Sequence, residues 1–101
     1  MEHNLHDIWK TIEYTVTELI NKNKVDTKSI SCIGITNQRE TTCAFDKNGN
    51  PLNNAIVWQD RRTLSLCEEL KKEGFEEKIK KKTGLTLDPY FSASKINWLL
   101  K

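Results

Sequence analysis

Seven consecutive residues, Ile30-Ser-Cys-Ile-Gly-Ile-Thr36, carry no charge in a chain that is 30% Asp, Glu, Lys and Arg. A run this short, apolar and rich in β-branched residues reads as a strand buried on both faces, and such strands belong to α/β sheets with helices on either side. The flanks supply those helices. Upstream, Asn4 is a cap, Asp7 follows three residues later, and Leu5, Ile8, Ile12, Val16, Leu19 and Ile20 recur on one face, which predicts a helix from Leu5 to Asn21. Downstream, Asp60 or Thr63 opens a helix with Leu66, Cys67 and Leu70 inward; Gly74 stops it, and Phe75, Ile79 and Lys82 repeat the pattern up to Gly84. Asp88-Pro89 forces an extended or turn conformation, after which Ser92 or Ser94 begins a last helix bearing Ile96, Leu99 and Leu100. In the middle, Thr41 to Asp46 and Ala55 to Trp58 read as strands on either side of a reversal at Lys47-Asn48-Gly49-Asn50.

At 101 residues the chain allows one domain at most, and its last helix is expected to be cut at Lys101, where no Gly or Pro marks an end. A net charge of +2 falls well short of the basic excess of a nucleic-acid binder, so no nucleic acid is expected as partner. No apolar stretch approaches the roughly 18 residues that span a bilayer and the first residues lack a secretory pattern, so a cytoplasmic protein without a membrane partner is expected. Cys32, Cys43 and Cys67 form no CxxC pair and read as reduced thiols, buried or half buried. His3 and His6 lie one turn apart without a third ligand, and no metal site is expected. Lys78, Lys80, Lys81 and Lys82 read as a solvated helix end, favoured there by the helix dipole. The four glycines are isolated, so no phosphate-cradling loop is present.

Chemistry concentrates at the ends of strands, where ligands of open α/β sheets bind. Arg39 and Glu40 place donors and an acceptor side by side, which suits a polyhydroxylated ligand; a plain polar turn satisfies the same spacing. Trp58 is either an apolar wall beside polar contacts or part of the core. Asp60 reads as a helix cap, with Arg61 and Arg62 as surface partners of Glu68 or Glu69.

Three ordered blocks, Gly34-Ile-Thr-Asn-Gln-Arg-Glu-Thr-Thr42, Asn54-Ala-Ile-Val-Trp-Gln-Asp-Arg-Arg-Thr63 and Thr83-Gly-Leu-Thr-Leu-Asp-Pro-Tyr-Phe-Ser92, resemble consecutive blocks of the glycerol kinases, within the FGGY carbohydrate kinase family. The resemblance covers essentially the whole chain. It implies a partial ribonuclease H-like α/β domain of the actin and sugar kinase type, a mixed sheet with flanking helices, truncated at both ends. Residues 1–101 would then be a fragment of the N-terminal, polyol-binding domain, with the phosphate loop, the catalytic aspartate and the ATP-binding second domain absent.

The implied activity of the full enzyme is phosphorylation of glycerol to glycerol 3-phosphate with ATP and Mg2+, and the fragment alone is expected to bind neither cofactor and to be inactive. The implied substrate contacts are Arg39, Glu40 and Tyr90 to glycerol hydroxyls and Trp58 beside the carbons, with no catalytic residue in this chain. Another FGGY sugar kinase and a non-catalytic interaction module are the alternatives. The uncovered strand edge and the end helices also lead to an expectation of self-association.

Overall fold

Asn4 begins the longest element of the computed structural model, which describes residues 1–101. Its side-chain oxygen accepts the His6 and Asp7 N–H groups at 2.9 and 3.3 Å and opens α1, Leu5–Asn23. The helix ends as Lys24 turns left-handed at φ 50°, with Lys24 N–H donating to Asn21 O and Val25 N–H to Ile20 O. These two bonds satisfy carbonyls that the last turn leaves open, which carries the helix slightly beyond the predicted Asn21. No residue of α1 is buried, so its apolar stripe faces solvent.

The run Ile30–Thr36 does not form the predicted strand. After a single 3-10 turn, Thr27–Ser29, the chain passes through residues 30–38 without regular structure, and Ile33 and Ile35 are 84% and 88% exposed. A strand exists only when a neighbour takes up its N–H and C=O groups, and no backbone hydrogen bond involves residues 31–41. The expected Thr41–Asp46 strand is likewise reduced to bridges. Thr42 and Ile56 exchange N–H···O bonds of 2.9 Å, and Phe45 sits opposite Pro51. The reversal between them is as predicted: Asp46 Oδ1 accepts the Asn48 and Asn50 N–H groups at 2.8 Å each, and Gly49 has φ 83°.

The regular sheet is small. β1, Glu2–His3, pairs antiparallel with β2, Ala55–Ile56, placing Glu2 opposite Ile56 and His3 opposite Ala55. The strand expected over Ala55–Trp58 thus narrows to its first half, and β1 is too short to leave a period in the sequence.

Three helices follow: α2, Leu64–Lys72; α3, Phe75–Thr83; and α4, Ser92–Leu99. Gly74, at φ 80°, turns the chain between α2 and α3, and Gly84, at φ 74°, closes α3. The capping expectation at Asp60 is corrected. Its Oδ1 accepts the N–H and Nε–H of Arg62 at 2.9 Å each, leaving the start of α2 to Thr63, whose hydroxyl bonds Ser94 Oγ at 2.8 Å instead of capping. Arg61 and Arg62 do not reach Glu68 or Glu69 either; Arg61 pairs with Asp88, and Arg62 with Asp60 and Glu2. A carboxylate already beside each guanidinium offers a shorter path than one on the far side of a helix turn.

Ala55, Ile56, Val57 and Cys67 form the apolar core, joined by buried Thr42, Asp60, Thr63, Pro89 and Lys95. Cys32 and Cys43 are exposed, contrary to expectation, because the segments that carry them lack cover on one side; all three thiols are free. Only nine of 101 residues are buried. The radius of gyration is 18.7 Å, against about 13 Å for a closed domain of this length. No helix is long and apolar enough to cross a membrane.

Candidate functional site

Three loops converge beside the core. The first is the turn at Gln38 to Thr41, where Glu40 adopts a left-handed φ of 61°. Such a conformation costs a non-glycine residue energy and persists where surrounding contacts hold it. Here the contact is the start of α4: Glu40 Oε2 accepts the Ser92 N–H at 2.9 Å and the Ser92 hydroxyl at 2.8 Å. A carboxylate at a helix N-terminus satisfies an otherwise open N–H and is favoured by the dipole. Glu40 Oε1 has no partner within the chain.

The second loop begins at Trp58, directly after β2. Trp58 N–H donates to Thr41 Oγ1 at 3.3 Å, and the Thr41 hydroxyl donates to Gln38 Oε1 at 2.6 Å, so this loop and the first are tied together. Trp58 is 37% exposed and so is not part of the core.

The third loop is Asp88-Pro89-Tyr90-Phe91. Asp88 Oδ1 accepts the Tyr90 N–H at 2.8 Å and Arg61 Nη1 at 2.9 Å. Burial works against the Asp88 charge, yet the Tyr90 N–H and Arg61 outweigh it and hold this carboxyl below its ordinary range. The Tyr90 ring meets Trp58 edge-on, with centroids 5.8 Å apart, and meets Phe91 likewise at 5.1 Å. Behind it, Lys95 Nζ donates to Tyr90 O at 2.6 Å. Burial pushes the Lys95 amine down, opposed by the charges of Glu40, Asp60 and Asp88.

Gln38, Arg39, Trp58 and Tyr90 line an open cleft of about 230 Å3. The Arg39 guanidinium and the Tyr90 hydroxyl make no hydrogen bond within the chain, so both present free donors to it. Donors on one side and an indole on the other suit a small ligand with hydroxyls on a carbon backbone. Of the four residues singled out from sequence, Arg39, Trp58 and Tyr90 meet at this cleft, and Glu40 lies beside it with one carboxylate oxygen turned to α4. Lys95 escaped the sequence reading: it lies one turn before Leu99 on the same face of α4, where a lysine reads as solvated, and only its burial distinguishes it. A larger cleft of about 430 Å3, between α1 and the Phe45–Pro51 turn, is lined by Leu5, His6, Ile8, Trp9, Asn50 and Pro51.

Residues 1–101 match the N-terminal domain of the FGGY family of carbohydrate kinases. The chain belongs to this family. Among relatives of this FGGY domain, the glycerol kinase of Sinorhizobium fredii is 54% identical over 101 residues, 99% of this chain and 20% of the relative. The glycerol kinase of Staphylococcus haemolyticus is 50% identical over the same shares. The crystal structure of Plasmodium falciparum glycerol kinase with ADP superposes with a TM-score of 0.89 at 43% identity, covering 98% of this chain and 20% of that one. This FGGY chain therefore has part of the α/β fold of the actin and sugar kinase type, and it spans about a fifth of the length of the relatives it matches.

Proposed function

We propose that this chain is part of an ATP-dependent glycerol kinase and supplies its polyol-contacting wall. The observation that carries the reading is the convergence of Gln38, Arg39, Trp58 and Tyr90 on one small cleft, in a chain whose relatives are glycerol kinases. Arg39 donates to one glycerol hydroxyl, Tyr90 exchanges a hydrogen bond with another, and Glu40 accepts through Oε1 while Oε2 stays on Ser92. Trp58 lies along the carbons. Held this way, a terminal hydroxyl is presented in one orientation, and positioning of that kind is a large part of phosphoryl-transfer catalysis.

ATP and magnesium supply the transferred phosphoryl group and neutralise its charge in such an enzyme. No group of three or more His, Cys, Asp or Glu side chains gathers in this chain. Nucleotide, metal and catalytic base are assigned to other segments of the parent, which we place in the cytoplasm.

The test uses the full-length enzyme. Arg39→Ala removes a charged hydrogen bond from the cleft and should lower kcat/KM for glycerol by about 2 to 4 kcal/mol in transition-state terms. Unchanged efficiency overturns the assignment of Arg39. A parent that phosphorylates a pentulose in preference to glycerol would point to another sugar kinase of the family.

A further inference from the structure

Lys95 is completely buried, yet no carboxylate pairs with it. An ammonium removed from water carries a large desolvation cost, and it is retained only where its donors are used. Here two of the three are directed at adjacent backbone carbonyls, Tyr90 O at 2.6 Å and Phe91 O at 3.4 Å. The Tyr90 N–H is held at the same time by Asp88 Oδ1 at 2.8 Å, and Asp88 is held by Arg61. Tyr90 is thus gripped at its N–H by an anion and at its carbonyl by a cation. Two fixed ends leave its backbone little rotation, which fixes where the Cα–Cβ bond points and limits the ring to the directions its rotamers allow from there.

The α4 start is also where the Glu40 carboxylate docks, at Ser92, three residues before Lys95. One short helix therefore anchors both the Tyr90 and the Glu40 sides of the cleft.

Building on the polyol reading of the cleft, we propose that Lys95 is a positioning residue for substrate recognition, acting through the Tyr90 main chain to aim the phenol at the bound polyol. Lys95 touches no ligand itself. A role confined to packing α4 would lower stability and leave substrate affinity untouched; a positioning role moves the KM for glycerol and does so only while Tyr90 is there to be aimed.

The experiment is a double-mutant cycle in the full-length enzyme, with Lys95→Met, Tyr90→Ala and the pair, reading KM for glycerol, KM for ATP and kcat. Lys95→Met is expected to raise the glycerol KM about tenfold. The ATP KM should stay unchanged, and in the Tyr90→Ala background the same change should add less than about twofold. Full additivity, or an unchanged glycerol KM in Lys95→Met, overturns the proposal while leaving the cleft reading intact. An unchanged glycerol KM in Tyr90→Ala overturns the cleft reading and the proposal with it. If Lys95→Met does not fold, Lys95→Gln, which keeps an N–H donor on a shorter stem, carries the same cycle. Failure of both to fold assigns Lys95 to the core and overturns its positioning role.

Discussion

Arg62 joins β1, the Asp60 loop and α4. Its guanidinium donates to Asp60 at 2.9 and 3.0 Å and to Glu2 at 2.7 Å, and it lies 4.6 Å over the Trp98 ring. The hydrogen bonds from Arg62 hold the buried Asp60 carboxyl well below the usual carboxylate range, against the opposing effect of burial. Because the folded value is depressed, the stabilisation is complete above the unfolded carboxylate pKa of about 3.9 and is lost as pH falls from there through the folded value. The urea midpoint of the wild-type chain should therefore fall as pH drops below about 4, and Asp60→Asn should flatten that acid limb while lowering stability at neutral pH. Equal acid slopes in the two proteins would show that Asp60 is not the coupled group. Asp60 also illustrates a limit of local reading. An acidic residue just before a helix suggests a cap, but a guanidinium two residues away competes for the same oxygens and prevails through charge-assisted bonds.

Among the elements, α3 offers a clean test of backbone conformation. It closes at Gly84, at φ 74°, whose N–H donates to Lys80 O at 2.8 Å, and a Cβ placed there meets nothing. Gly84→Ala should cost about 1 kcal/mol through the left-handed conformation alone, measured as a shift in urea midpoint at constant m-value. A neutral result would mean that the end of α3 relaxes. The helices were legible because their signals are short-range: Asn4, Gly74 and Gly84 act on groups within a few residues. The strand expected at Ile30–Thr36 was not realised because its hydrogen bonds must come from another segment, and none lies against it.

For the molecule as a whole, the unpaired run and the bare stripe of α1 have one consequence. With extents of 60 × 27 × 24 Å and Ile33 and Ile35 almost fully exposed, the chain presents apolar surface and unpaired backbone together. Such an edge favours pairing with another chain. Sedimentation velocity of this 101-residue chain should show association that grows with concentration, and Ile33→Asp with Ile35→Asp should shift the population towards monomer. A cooperatively folded monomer at every concentration would remove the basis for self-association.

The sequence by itself determined the helices, the Asp46–Asn50 reversal and, through three ordered motifs, the FGGY family. Caps, glycines and apolar periods act over one or two turns of chain, and motif blocks survive without reference to contacts. Tertiary structure alone decided that Arg39, Trp58 and Tyr90 share a cleft, that Glu40 docks on Ser92 across 52 residues of chain, and that Lys95 is buried behind Tyr90. Each of these requires groups distant in sequence to arrive within hydrogen-bond or van der Waals reach, and hydrogen bonding and burial depend on that distance in space.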